Sequence, residues 1–412
     1  MTATSMLDPN ADGRLGDLLS DPKQDPNHMY AMELQQRNTA AIRVLAVTDL
    51  AELAKFELQW NDLVLRCAMA TPMSSFPWLS SYFRHFARPP NSWVCLMAVQ
   101  GDFLVGVLPL VRHQRSRWPS GQSVGLPQNP HTLSVDAVLA PEVAPEVFQA
   151  LLAAARARAG RPTALAFHRI REDSPTLSLP TPGLFRSSQP AGQGAFLPVP
   201  ADFAEYRRAL SRNFRNNLNK AANKLRGFQD VRMSILSGSD ADPDLLSRFT
   251  SVEAASWKGD AETAIQCSPT LLDFYTDLVR YLVRAGWLEW HFLEADGHDL
   301  AANLCIRLRR SLFVWKLGYD AAFSNCSPGS LLLEHVVRQL STEQTIDEID
   351  LMTDQHWYSN WGMAWRAYSD YTVYWKGTLQ GTAAYCAEWL RDRLRHQPIL
   401  RRIKRHFSRG SA

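Results

Sequence analysis

Residues 288–352 constrain the fold more tightly than any other part of the sequence. Three strand-type runs follow one another, Leu288–Ala295, Asp299–Arg309 and Ser311–Tyr319, with only a turn between each pair. Asp296-Gly297 suits such a turn, because Gly reaches backbone angles closed to other residues and Asp bonds its own backbone. Strands joined this closely pair as antiparallel neighbours. Ser327-Pro328-Gly329 then introduces a helix, Ser330–Leu340, Ile346–Met352 reads as a buried strand, and Ala367–Trp375 as the strand that closes the sheet. The expectation is an α/β fold whose sheets are mixed, mostly antiparallel and flanked by helices.

The N-terminal part has a similar layout. Ile42–Val47 is a short strand, and Thr48 opens a helix running to about Cys67. A second helical stretch surrounds Phe76–Phe86. Strands Trp93–Gln100 and Phe103–Arg112 meet at Gly101-Asp102, and residues 113–140 are irregular until a strand at Ser134–Leu139. Helix Pro141–Ala159 and strand Thr163–Ile170 follow. Trp93–Val111 and Glu289–Leu308 share the order strand, Gly/Asp turn, strand, a weak internal repeat. Two lobes fit a chain of 412 residues. The boundaries read from the sequence are a leader over 1–41, an N-terminal lobe over 42–200, a C-terminal lobe over 201–382 and a basic amphipathic helix or tail over 383–412. The Pro/Ser/Gly-rich stretch Asp173–Pro200 reads as the crossing between lobes.

Charge and cysteine narrow the function classes. The leader is acidic, and residues 391–412 hold eight Arg or Lys against one Asp, so the body between is close to neutral. A nucleic-acid binder needs a basic stripe over its body, so nucleic acid is not an expected partner. The six cysteines are scattered without a C-x-x-C pair, which gives no metal signature and no disulfide framework. No metal is expected. Neither a secretory signal nor a membrane span is apparent, so the cytoplasm is the expected location. In the tail Trp389, Leu390, Leu394, Leu400, Ile403 and Phe407 alternate with basic residues, a pattern compatible with peripheral membrane association or with packing on the last lobe.

The stretch Leu312–Leu333 carries the chemistry. It reads as a strand, a loop, and a helix entered through Ser327-Pro328-Gly329. Backbone N–H groups at a helix N-terminus bind anions, aided by the helix dipole. Pro is tolerated in the first turn, where its missing N–H costs nothing, and Gly lets a ligand approach the backbone. A plain structural connection has the same outline.

Three segments together resemble the GNAT-type acyltransferases: Glu253…Ser256-Trp257-Lys258-Gly259, the run Tyr319-Asp320…Ser327-Pro328-Gly329…Leu332-Leu333, and the strand Ile349-Asp350-Leu351. The similarity is to the CelD-like subgroup of cellulose and exopolysaccharide-biosynthesis acetyltransferases, itself distantly similar to the Fem-type tandem-GNAT transferases. It covers about residues 42–390, most closely 203–376. The resemblance implies two GNAT-like lobes and acetyl-CoA or another acyl-CoA as co-substrate. It also implies a strand Trp315–Tyr319 splayed from Ile349–Met352, so that the pantetheine lies along Trp315, Leu317 and Tyr319. The diphosphate would then sit on the backbone of the turn Ser327, Pro328, Gly329, Ser330 and Leu331, held by its N–H groups. An amine or hydroxyl acceptor would attack the thioester directly, with catalysis by positioning and carbonyl polarisation.

One position departs from the family pattern. Where relatives carry a Tyr-Lys pair, this chain has Asp354-Gln355-His356-Trp357-Tyr358-Ser359, so Ser359 stands at the Lys position. Asp354, His356 and Tyr358 are the candidates for proton handling. A helix over Phe203–Arg226 would align Arg208, Arg212, Arg215 and Asn219 on one face. That face is either solvated or an anion-binding surface, with Arg212, Arg215, Trp257 and Lys258 as the substrate-side candidates. His131 and Asp136 read as structural. The resulting expectation is an acyl-CoA-dependent N- or O-acyltransferase, with an exopolysaccharide or envelope role, whose N-terminal lobe is degenerate. The alternatives are a non-catalytic scaffold of the same fold and a Fem-like aminoacyl transferase.

Overall fold

A computed structural model describes residues 40–87, 92–113, 123–158, 162–256, 259 and 263–395. The N-terminal leader, Trp257, Lys258 and the tail beyond Arg395 lie outside the described residues.

The strands are β1 (Ile42–Val47), β2 (Trp93–Gln100), β3 (Phe103–His113), β4 (Ser123–Gly125), β5 (Val138–Leu139), β6 (Ala164–Arg171) and β7 (Leu184–Pro198), then β8 (Val231–Ser237), β9 (Leu288–Ala295), β10 (His298–Leu308), β11 (Ser311–Tyr319), β12 (Glu348–Asp350) and β13 (Ala364–Trp375). The main helices are α1 (Glu57–Arg66), α2 (Phe76–His85), α3 (Ala144–Arg158), α4 (Phe203–Ala209), α5 (Arg212–Leu225), α6 (Leu245–Ala254), α7 (Pro269–Arg284), α8 (Pro328–Glu343) and α9 (Leu379–Arg395). All strands belong to one sheet, in the order β1-β2-β3-β4-β6-β13-β7-β12-β11-β10-β9-β8, with β5 paired to β3.

The sheet repeats itself. From its first edge the pairings run antiparallel three times, then parallel at β4/β6, then antiparallel at β6/β13. From the other edge, β8 to β11 are antiparallel, β11/β12 is parallel and β12/β7 antiparallel. The halves exchange their last strands: β7 follows β6 in sequence but pairs with β12, and β13 follows β12 but pairs with β6. The two exchanged strands then pair with each other along most of their length. The weak hairpin repeat in the sequence is β2/β3 against β9/β10, at equivalent places in the two halves.

Three sequence expectations are corrected. Asp173–Pro200 is not an irregular crossing, because Leu184–Pro198 forms β7. Ala364–Trp375 does not close the sheet at an edge but lies at its centre. The basic segment 203–226 is two helices: Ser211 is extended at ψ 144°, and its side chain caps the N–H of Phe214, so α5 starts afresh. Arg208 and Arg212 therefore do not share one continuous helix.

Helices α2 and α7 occupy equivalent positions in the two halves and pack on each other. Each presents a buried aromatic face, with Trp78 edge-on to Phe274 at 5.8 Å and Phe76 edge-on to Tyr281 at 5.6 Å. His85 and Asp277 meet at 2.8 Å beside this contact. From the β10–β11 turn, Arg309 donates to the carbonyls of Val64, Ala68 and Ala70 at 2.8–2.9 Å. It thereby adds a partner to the Val64 carbonyl at the end of α1 and satisfies two carbonyls of the loop that follows. Helix α9 lies on the exchanged strands, with Tyr385 stacked on Phe185 at 4.5 Å and Tyr374 donating to Glu388. Trp389 and Leu390 face outward. Among the described residues no helix is long and apolar enough to cross a membrane.

Candidate functional site

The parallel pair β11/β12 opens into a gap. Its register runs Ser311↔Glu348, Leu312↔Ile349 and Phe313↔Asp350, and there the pairing ends. Beyond Asp350 the chain stays with β7, through Leu351 N–H to Ala195 O and Ala195 N–H to Thr353 O, both 2.9 Å. Met352 takes a left-handed φ of 55° between these two bonds, a bulge that turns the chain away from β11. Arg169 holds the Met352 carbonyl at 2.7 Å. Strand β11 meanwhile continues along β10 to Tyr319. It too is bulged: Leu304 faces Lys316 and Cys305 faces Val314, so Trp315 is the residue without an opposite number.

The chain leaving β11 forms a rim at the end of this gap. Gly318 lets α6 approach closely, since a Cβ there would lie 3.0 Å from the Glu253 Cα. Asp320 caps the Ala322 N–H, and Ala321–Cys326 makes a short 3-10 segment. Ser327, at φ 46°, then turns the chain into α8. Of the N–H groups expected to cradle a diphosphate, that of Ser327 bonds Ser324 O, and those of Ser330 and Leu331 share Ser327 O at 3.1 and 3.2 Å. Pro328 has none. Gly329 remains, with no hydrogen-bond partner for its N–H among the described residues and open space where a Cβ would stand. Lys224 of α5 donates to Asn325 O at 2.7 Å, which puts an ammonium on the same loop. A bare N–H at a helix start, open space and a lysine fit a phosphate-bearing ligand.

On the other side of the gap, Thr353–Trp361 carries the proposed proton-handling residues. Tyr358 is buried, its hydroxyl paired with Thr353 Oγ1 at 3.0 Å, and burial raises its pKa. Asp354 and His356 are exposed, and Asp354 accepts from Gln193 Nε2 at 3.0 Å. The Ser359 hydroxyl donates back to the His356 carbonyl, at 2.9 Å. Leu317 and Tyr319 are half-buried against the core of this half. Trp315 turns to the opposite face, edge-on to Trp78 at 5.1 Å. Arg215 is occupied with the carbonyls of Arg208 and Leu210 at the end of α4, while Arg212 is exposed.

Sequence reasoning passed over two groups here. Asp350, at the last rung before the gap, is 2% exposed, and burial pushes its carboxyl up to about 6. Its partners are Arg366 at 2.6 Å and the Met352 N–H at 2.7 Å. A lone acid inside the apolar run Ile-Asp-Leu was the available signal. The second is Tyr275, wholly buried, whose hydroxyl joins Trp315 Nε1 at 3.1 Å and His131 Nδ1 at 3.0 Å. Nothing in the spacing of α7 separates Tyr275 from its apolar neighbours.

In the first half, the segment after β4 folds back on its own core. Thr71 bonds Ser134 O, Trp78 bonds Thr132 and Tyr82 bonds Gln128 O. Asp136 is half-buried and accepts a hydrogen bond from Ser174. No helix start follows β4 directly as α8 follows β11.

Residues 212–360 match the family model described as Acetyltransferase (GNAT) domain. No curated protein matches the sequence. Among solved structures, FemX is similar at a TM-score of 0.54 and 11% identity, over 80% of this chain and 96% of that one. A conserved protein of unknown function from Bacteroides thetaiotaomicron is similar at 0.50 and 11%, over 81% of this chain and 100% of that one. A tandem GNAT protein from the clavulanic acid biosynthesis pathway covers 82% of this chain at a TM-score of 0.41 and 15% identity. The fold is α/β, one large mixed sheet flanked by helices, within which residues 212–360 match a GNAT domain.

Proposed function

We propose that the chain is an acyl-CoA-dependent N- or O-acyltransferase whose acyl donor lies in the β11/β12 gap. The observation that carries this reading is the opening of that strand pair beside the bare N–H and open space of Gly329. The matched GNAT acetyltransferase domain spans the same residues, and acetyl-CoA is the first donor to test. Gly329 and Lys224 would take the diphosphate, and the edge of β11 from Val314 to Tyr319 would take the pantetheine arm.

In the proposed reaction the acceptor's nitrogen or oxygen attacks the thioester carbonyl carbon. The C–S bond breaks, the coenzyme thiolate takes up a proton, and the acceptor loses one. Tyr358 suits the donor role, because a tyrosine hydroxyl is protonated at neutral pH. Asp354 and His356 stand exposed on the same loop, where the acceptor's proton can pass to water. With Ser359 donating to backbone, no side-chain amine contributes at that position. The 201–382 lobe would hold the donor and the 42–200 lobe would shape the acceptor side, since its own segment after β4 is folded into its core. Transfer to a glycan or envelope precursor is the finer reading, resting on the sequence resemblance alone.

Calorimetry with acetyl-CoA tests this. Wild type should bind, and Gly329→Asp should weaken binding by at least about tenfold, or roughly 1.4 kcal/mol. A wild-type protein that does not bind at millimolar acetyl-CoA would overturn the reading, and equal binding by both proteins would move the site elsewhere.

A further inference from the structure

The first half of the molecule reaches the gap through a directed chain of hydrogen bonds. Tyr275 is fully buried, and its hydroxyl has two polar neighbours, Trp315 Nε1 at 3.1 Å and His131 Nδ1 at 3.0 Å. An indole N–H can only donate, so Trp315 donates to the Tyr275 oxygen. A buried hydroxyl hydrogen needs an acceptor, and among the described residues His131 Nδ1 lies at hydrogen-bond distance. The chain therefore runs Trp315 to Tyr275 to His131, and it requires the His131 tautomer with a free lone pair on Nδ1 and its hydrogen on Nε2.

Each end of this chain is anchored. At one end, the loop carrying His131 is tied down by Asn129 Oδ1 on the His131 N–H at 2.8 Å and by Trp78 Nε1 on Thr132 Oγ1 at 3.0 Å. At the other, Trp315 is the extra residue of the β11 bulge, two residues past Phe313, the last residue bridged by both β10 and β12. Trp78 also packs edge-on against the Trp315 ring. A bulge leaves its extra residue unpaired in the ladder, so contacts that hold the Trp315 side chain also hold the backbone that carries it.

We infer that His131 and Tyr275 are positioning residues. By fixing the Trp315 indole they set the direction of the bulged backbone of β11 toward the carbonyl of a bound acyl thioester. The inference rests on the acyl-CoA reading above and adds a task for the N-terminal half: although it has no cradle of its own, it tunes the site of the other half. A donor aimed at a developing oxyanion acts mainly in the transition state. Losing its aim should therefore lower turnover while leaving donor affinity nearly unchanged.

The test uses the full chain and acetyl-CoA labelled with 13C at the carbonyl. Isotope-edited infrared spectra should show the carbonyl stretch shifted down on binding to wild type. His131→Ala and Tyr275→Phe should lose that shift yet bind acetyl-CoA within about threefold of wild type by calorimetry. His131→Asn, whose Oδ1 can accept the same hydrogen bond, should keep the shift. With hydroxylamine as a small acceptor, acetyl transfer should fall at least about tenfold in kcat for the first two variants, and little for His131→Asn. An unchanged carbonyl stretch in His131→Ala and Tyr275→Phe overturns the positioning role and leaves the acyl-CoA reading intact. Equal loss in His131→Asn and His131→Ala overturns it in favour of a purely structural part. Failure of wild type to bind acetyl-CoA overturns the underlying reading instead.

Discussion

At the scale of single residues, Asp350 is where burial and charge oppose each other most directly. Its carboxyl is pushed up to about 6 by burial, against the pull of Arg366 and of the Met352 N–H. An unfolded Asp titrates near about 3.9. Between pH about 4 and 6 the folded chain therefore holds a proton that the unfolded chain has released, so stability falls as pH rises through that window. The shift corresponds to about 3 kcal/mol at most. Glu289 has the opposite sign: burial raises it, but His291 and Arg307 lower it further. The difference between wild type and Asp350→Asn removes such shared background. Urea midpoints from pH 4 to 7 should decline less in Asp350→Asn than in wild type, and parallel profiles would show that Asp350 titrates normally. At Tyr358 the expectation is kinetic. Tyr358→Phe should lower kcat for acetyl transfer by about 10²-fold or more with little change in acetyl-CoA affinity. Equal kcat would take Tyr358 out of the proton transfer. The candidates Gly329 and Tyr358 were legible at this scale, because they belong to short motifs. Asp350 was not, since the arginine that makes it notable lies on another strand.

Elements show which local signals were overridden. Strand β7 contains Pro190, Gly192 and Gly194, residues that ordinarily mark a loop. Pro190 is tolerated because β12 pairs only with Phe196–Pro198, so the edge beside Pro190 faces no β12 rung. At Gly194 a Cβ would meet the Met352 carbonyl at 2.8 Å, so the glycine permits the bulge that opens the gap. Both features come from partners far away in sequence, and local composition points the wrong way. Helices α7 and α8 were legible, because each has a Pro in its first turn and an apolar stripe. The contact of Arg309 with the end of α1 was not. That contact should matter for stability, since one guanidinium satisfies three carbonyls between the halves. Arg309→Met keeps the aliphatic stem but strands those acceptors, and hydrogen bonds to a charged group contribute about 1.5–3 kcal/mol each at best. Urea denaturation should show a loss of about 2–4 kcal/mol in total. A loss below about 0.5 kcal/mol would mean that water replaces the arginine freely.

On the scale of the whole molecule, strand exchange decides which pieces of the chain can stand alone. Strand β7 delivers Ala195 and Leu197 to the core that also holds Leu312, Leu332 and Ile349. Strand β13 delivers Tyr371, Val373 and Trp375 to the core of the first half. A cut at residue 200, where the composition of the sequence places the lobe boundary, separates β7 from the strand it pairs with. A fragment of residues 201–382 would therefore hold β12 without its antiparallel neighbour and β13 without either partner. A fragment of residues 184–362 instead contains β7 to β12 in unbroken sequence, with α8 and the Gly329 turn. Both fragments lose the packing of α2 on α7, so that loss does not separate them. The 184–362 fragment should show the more cooperative thermal transition by circular dichroism and retain measurable acetyl-CoA binding, whereas 201–382 should lack both. Acetyl transfer by the 184–362 fragment should still be slower than that of the full chain, because Trp78 and His131 no longer hold Trp315. If 201–382 melts cooperatively and binds as tightly as the full chain, β7 is dispensable to the second half. The strand exchange would then be a feature of assembly and not a condition of the site.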